Sequence, residues 1–285
     1  MQHIAPRHED KFDRTTKKTG RHREEAKKES LSLKTQHAKM LPIETELCAY
    51  TVESCRAAAR AGMTRVELCA SPCEGGTTPS AAAVRMARSI PGLELAVMIR
   101  PRGGDFLYTA QEFDQMRLDI EYARSCGADA VVLGLLLPDG RIDTERTAEL
   151  VAAAGAMEVT FHRAADLTPD PVEAVGDILA AGCRRILTSG GCQTAAEGLP
   201  IIREMVRRAD GRIEIMAGSG VSPDNARLLA EAGVDAIHFS ARRYRPSGMV
   251  YRRDGVPMGL PGVPDYDAAE ADEETIRAIL NQLTR

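Results

Sequence analysis

The sequence has no apolar run approaching the ~18 residues that a helical membrane span requires, so a chain threaded through a bilayer is not expected. Its first 40 residues have almost no aromatics and lack the apolar core of a secretory signal, so export is not expected either. No Cys-x-x-Cys pair and no zinc-type His/Cys spacing occur, which argues against a zinc-built domain. The seven cysteines (Cys48, Cys55, Cys69, Cys73, Cys126, Cys183, Cys192) are odd in number and thinly spread. Reduced thiols in the cytoplasm fit that usage better than a disulfide framework. The candidate strands contain no lysine, which argues against Schiff-base chemistry.

What the sequence does contain divides into two parts. The first 40 residues hold 11 Lys+Arg, 6 Asp+Glu and four of the six histidines. Such a segment cannot bury enough apolar surface to offset its ordering entropy, so residues 1–42 read as a disordered polar, basic tail. Translation from Met1 and from Met40, next to the folded pattern, both remain open. Residues 41–285 carry 26 basic and 35 acidic residues, a net charge of −9, which leaves no nucleic-acid footprint. With 44% hydrophobic residues over the whole chain, 43–285 has the material for one large core.

Along that part, short apolar segments alternate with helical patterns eight times. The strand candidates are 46–50, 65–69, 95–100, 130–135, 158–162, 185–188, 212–217 and 235–240. Pro79-Ser80 opens one helix and Ser222-Pro223-Asp224 another, as proline in a first turn allows. Gly62, Gly127, Gly182 and Gly233 stand where helix C-terminal caps belong. Eight strand–helix units in about 240 residues match a (β/α)8 barrel of the TIM type, closed by a terminal helix over 272–283.

Barrel function sits at the C-terminal strand ends, and alternate strand residues face inward. Parity assigns Glu46 and Cys48, Glu67 and Cys69, Met98 and Arg100, Thr160 and His162, Thr188, Met216, His238 and Ser240 to the interior. A barrel packed for stability alone would hold mostly Val, Ile and Leu in those layers. Here carboxylates, an arginine and the folded part's two histidines gather, with Glu46 and Glu67 expected to flank Arg100. Glu46, Glu67, Arg100, His162 and His238 are therefore the candidate catalytic set. Cys48 and Cys69 fall on adjacent strands at equal depth, ~5 Å apart. Two thiolates so placed suit soft Cu(I), with Met98 or Met216 as a thioether supplement. The neighbouring carboxylates are expected to raise both thiol pKa values.

Around these lie loops fitted to an anion. Arg100-Pro-Arg102-Gly-Gly-Asp105 ends the third strand, and guanidiniums there need anionic partners. Ala217-Gly218-Ser219-Gly220-Val221 follows the seventh strand, where barrels bind phosphate through backbone N–H groups. Thr188-Ser189 follows the sixth, and Arg242-Arg243 the eighth. Arg102, Asp105, Thr188, Ser189, Gly218, Ser219 and Gly220 are the candidate substrate-binding residues.

Four segments in chain order, Glu74-Gly-Gly-Thr-Thr-Pro-Ser80, Arg100-Pro-Arg-Gly-Gly-Asp-Phe-Leu-Tyr108, Thr160-Phe-His-Arg-Ala-Ala-Asp166 and Leu187-Thr-Ser-Gly190, resemble the CutC family, usually labelled copper homeostasis proteins. The resemblance runs from about Glu44 to the C-terminus and also implies a barrel. It implies copper homeostasis in the cytoplasm, with copper as Cu(I) for the cofactor. The alternative read from the residues is a barrel enzyme of the lyase, aldolase or isomerase class acting on a small anionic, possibly phosphorylated, molecule. A copper ion or such an anion is thus the expected partner, without nucleic acid or membrane; a homo-oligomer, dimer or tetramer, is left open.

Overall fold

Alternation along eight short strands decides the architecture. One face of each strand is apolar and packs on helices: Leu47 and Ala49, Val66 and Leu68, Leu95 and Val97, Val131 and Leu133, Ile237 and Phe239 all belong to the shell core. The opposite face carries smaller or polar residues that fill the interior. Residues of one parity can occupy a separate inner space only if the sheet curls and closes.

In the computed structural model, which describes Met1 and residues 43–253, 255, 256, 258, 259 and 265–284, the sheet does close. Its strands are β1 Glu44–Ala49, β2 Arg65–Leu68, β3 Glu94–Met98, β4 Ala130–Leu133, β5 Glu158–Phe161, β6 Arg185–Thr188, β7 Glu214–Gly218 and β8 Ala236–Phe239. All neighbours are parallel, and β8 returns to β1. The helices between them are α1 Val52–Ala61, α2 Ala81–Arg88, α3 Ala110–Ser125, α4 Thr144–Ala154, α5 Pro171–Ala180, α6 Leu199–Ala209 and α7 Ala226–Ala230. The protein is thus an α/β (β/α)8 barrel. The expected tail over 1–42 lies outside the described residues.

Helix starts follow local chemistry. The Ser80 side chain accepts from the Ala83 N–H, and Thr109 and Glu112 form a reciprocal capping box on α3. Caps of this kind contribute about 1 kcal/mol each. The terminal helix α8, Glu273–Leu283, is capped by Asp272 and buries Ile276 and Ile279. Before it stands an antiparallel pair that the sequence pattern did not announce, β9 Arg242–Pro246 with β10 Asp267–Ala271. β9 is exposed along its whole length, so it carries no apolar alternation to read.

The N-terminal end of the barrel is closed by charge. All four odd-numbered barrel strands begin with glutamate (Glu44, Glu94, Glu158, Glu214), while β2 and β6 begin with Arg65 and Arg185. Both arginines are buried. Arg65 donates to Glu46 at 2.7 Å, Glu158 at 3.2 Å and Glu94 at 3.3 Å. Arg185 pairs with Glu44 and Glu214. Glu46 is therefore consumed at the closed end, away from Arg100, and the expected Glu46–Arg100 contact does not form.

Candidate functional site

The open end collects the inward residues furthest along each strand. β1 and β2 pair with Cys48 opposite Glu67, and the Cys69 N–H donates to the Ala49 carbonyl. That register carries Cys48 and Cys69 to one place, with their sulfurs 3.9 Å apart. Both are buried, in a cluster with Met98, Ala96, Ala130 and Val132, against which Tyr50 packs. Met216 packs instead with Leu187 and Ala236, because its layer lies deeper and across the barrel; of the two candidate thioethers only Met98 adjoins the thiols. Bare backbone covers them: a Cβ on Gly76, whose φ is +97°, would sit 3.3 Å from Cys69 Sγ and 3.6 Å from Met98 Cε.

The two thiols are not equivalent. The hydrogen bond from Cys69 lowers the Cys48 pKa, outweighing burial and the Glu67 charge, with His238 assisting. Burial raises the Cys69 pKa well above the usual thiol range, and its place beside Cys48 and Glu67 adds to this. Cys48 is thus the easier of the two thiols to ionise. Glu67 does push the Cys48 pKa up as expected, but the net rise expected for both thiols fails at Cys48, where the Cys69 hydrogen bond outweighs burial and that charge.

Below the cysteines, His238 Nε2 lies 3.0 Å from Glu67 Oε2 and 3.8 Å from Glu46 Oε1. Burial alone would lower the His238 pKa, but the Glu67 charge and hydrogen bonds raise it well above its ordinary value. Glu67 is likewise held below its ordinary value: burial opposes ionisation, and the His238 charge with hydrogen bonds from His238 and both cysteines outweighs it. This is a buried imidazolium–carboxylate pair, not the expected Glu67–Arg100 contact.

Arg100 has carbonyls for partners instead. Its Nη1 donates to the carbonyls of Glu74 (2.6 Å) and Gly76 (2.8 Å), and its Nη2 to that of Gly104 (2.8 Å). It therefore pins the loop that covers Cys69. The guanidinium stands 4.9 Å from the centre of the Phe106 ring, which in turn lies 4.8 Å from the His162 ring. His162 accepts the Ala164 N–H at Nδ1, which puts its proton on Nε2. Burial and the Arg100 charge push its pKa down to about 4, so the ring is neutral. Its room comes from Gly134, where a Cβ would lie 2.5 Å from His162 Nδ1.

These groups line a cavity of about 560 Å³ at the C-terminal ends of the strands. Cys48, Glu67, Arg100, His162 and His238 all face it. Among known proteins, a sequence model described as the CutC family matches residues 43–243. The chain belongs to the CutC family.

A CutC family protein of Chromobacterium violaceum is 48% identical over 241 residues, covering 84% of this chain and 98% of the relative. The mouse copper homeostasis protein cutC homolog is 45% identical over 236 residues, covering 82% and 87%. A solved CutC structure from Streptococcus agalactiae is 36% identical, covers 70% of this chain and 98% of that one, and superposes with a TM-score of 0.67.

The CutC-like segments do different work from one another. Ser219 and Gly220 line the cavity with Val221, but Gly218 is strand backbone: a Cβ there would meet Leu187 at 2.6 Å. The next helix, α7, has only five residues, and Asn225 fastens the turn through Ser222 N and the Gly220 carbonyl. Arg102 and Asp105 lie outside the cavity lining. Arg102 spends its donors on Glu112, Asp105 and loop carbonyls, which makes it a staple of the 102–108 turn.

Thr188 does not face the interior. On β6 the inward residues are Arg185 and Leu187, so Thr188 turns to the helix layer and contacts Met205 of α6. Thr188 and Ser189 are both engaged by Asp166, which accepts from Thr188 Oγ1 and from the N–H and Oγ of Ser189. Asp166 and Arg163, bonded at 2.8 Å, both line the cavity and were passed over in the sequence. Their signal was the quoted His162-Arg-Ala-Ala-Asp166 turn, where charge follows directly on a strand end. No lysine occurs beyond residue 39, and none lines the cavity among the described residues.

Proposed function

We propose that this CutC protein serves copper homeostasis by binding Cu(I) through Cys48 and Cys69. The observation that carries the reading is the pair of sulfurs 3.9 Å apart, one of which, that of Cys48, belongs to a residue lining the cavity. Soft thiolates select Cu(I) over harder cations, and a thioether at Met98 extends the soft set. The lowered Cys48 pKa favours the ligating form at one position. Glu67 stands beside the thiols, its carboxylate within 4.8 Å of both sulfurs. Burial suits retention of the ion rather than rapid hand-over, and exchange would pass through the cavity that Cys48 lines.

The test is competition with a chromogenic Cu(I) chelator. Cys48→Ser and Cys69→Ser are each expected to lose tight binding, because a site of two thiolates does not survive loss of one. Cys183→Ser is expected to keep it: Cys183 sits in the outer shell, with its pKa pushed up to about 12 by burial. Undiminished affinity in either of the first two variants would remove the assignment.

A further inference from the structure

Two residues that line the same cavity each carry a buried donor without a hydrogen-bond partner, although the Arg100 guanidinium also acts on the neighbouring Tyr108 hydroxyl. Among the described residues neither Arg100 Nε nor His162 Nε2 has a hydrogen-bond partner. The Arg100 side chain has five N–H groups, of which carbonyls take three. No carboxylate lies within ion-pair range of Arg100 among the described residues, although ion pairs are abundant elsewhere in the barrel. His162 is fixed as a donor at Nε2, because Nδ1 is occupied by the Ala164 N–H. Both residues are more than nine-tenths buried. A buried donor left unpaired is costly, more so when charged, and two on residues lining one cavity mark a place for an acceptor.

We infer that the cavity holds a second site, separate from the thiols, that takes the oxyanion of a small organic molecule on Arg100 and His162. The charge sign fits: the uncompensated group is a cation, and its neutral neighbour donates rather than accepts. Of the carboxylates that line the cavity, Glu67 is neutralised by His238 and Asp166 by Arg163, and Glu74 is exposed to water, so the buried ones do not repel an arriving anion. The size also fits, since about 560 Å³ falls within the range of pockets that enclose small organic ligands rather than a bare ion. Apolar walls at Phe106, Leu187 and Val221 suit the carbon skeleton of such a molecule. Phe106 lies beside both donors and holds them in place by stacking. Carboxylate and phosphate ester share the required chemistry.

Calorimetric titration of the full chain, stripped of copper, separates these sources. The probes are succinate and glycerol 3-phosphate, with succinamide and glycerol as uncharged counterparts. At least one anion is expected to bind with a Kd of about 1 mM or tighter, and neither neutral molecule should. Succinate alone would assign a carboxylate, glycerol 3-phosphate alone a phosphate ester, and either supports the site. His162→Asn keeps an acceptor for the Ala164 N–H but removes the far nitrogen, and should weaken the bound anion about tenfold. Its Cu(I) binding should be unchanged, which separates this site from the thiol reading. Arg100→Met should abolish anion binding; because Arg100 also pins the loop over Cys69, the His162 variant decides if that protein does not fold. No heat with either anion, or equal affinity in His162→Asn, would overturn the site and leave these donors to water.

Discussion

His238 and Glu67 meet across β1, joined by a 3.0 Å contact between Nε2 and Oε2 inside the barrel. β2 and β8 both flank β1, so residues 171 positions apart become partners through closure of the sheet. The contact keeps opposite charges on the two groups near neutral pH.

For His238 the raised pKa places its stabilisation fully below the ordinary 6.5, lost as pH rises through the raised value. For Glu67 the lowered pKa gives stabilisation present above the ordinary 4.5, lost as pH falls through the lowered value. Glu67→Gln removes the charge that holds the His238 proton, and burial then dominates. The His238 imidazole, followed by NMR, is expected to titrate below 6.5 in the variant and well above it in the parent. An unchanged titration would show that Glu46 or solvent holds the proton instead.

Arg65 is a structural cation, in contrast to Arg100. It neutralises the fully buried Glu46 and reaches two further glutamates. Arg65→Met strands a buried carboxylate and is expected to cost about 3–5 kcal/mol in chemical denaturation. A loss below about 1 kcal/mol would mean that Glu46 is hydrated as an exposed pair would be.

His162 makes the protein sensitive to acid. Its pKa is about 4 in the fold against an ordinary 6.5, so between those values the unfolded chain takes up a proton that the folded chain refuses. Stability therefore falls as pH drops through this range, by about 3 kcal/mol in total from this group. His162→Asn should flatten the stability profile between the two values. A variant that loses stability as steeply as the parent would show that His162 is not the group responsible.

Cu(I) affinity should rise with pH. With the Cys48 pKa lowered and the Cys69 pKa raised, ligation at neutral pH displaces the Cys69 proton. The logarithm of the association constant is expected to climb by at least about one per pH unit, as release of the Cys69 proton requires. A slope near zero in chelator competition would mean that Cys69 binds no copper.

The Glu46-Leu-Cys-Ala49 and Glu67-Leu-Cys-Ala70 repeats show how much of the site could be read along the chain. Period-2 alternation put both glutamates and both cysteines inside, because only a closed sheet gives polar residues a second interior. Strand ends shifted by one or two residues, from Arg212 to Glu214 on β7 for example, since hydrogen bonding rather than apolarity ends a strand. The same parity rule put Thr188 on the wrong face. Arg185 and Leu187 take the interior there, and the glutamates at the odd strand starts fix Arg185 inward.

The sequence alone determined the eight units, the barrel and the two cysteines as neighbours, because local periodicity and strand adjacency need no knowledge of partners. Tertiary structure alone decided who neutralises whom: Glu46 with Arg65, Glu67 with His238, Arg100 with three carbonyls. Those choices depend on the depth at which each side chain lies in a closed barrel. Depth comes from the stagger between strands, a property of the whole closed sheet that no single segment carries.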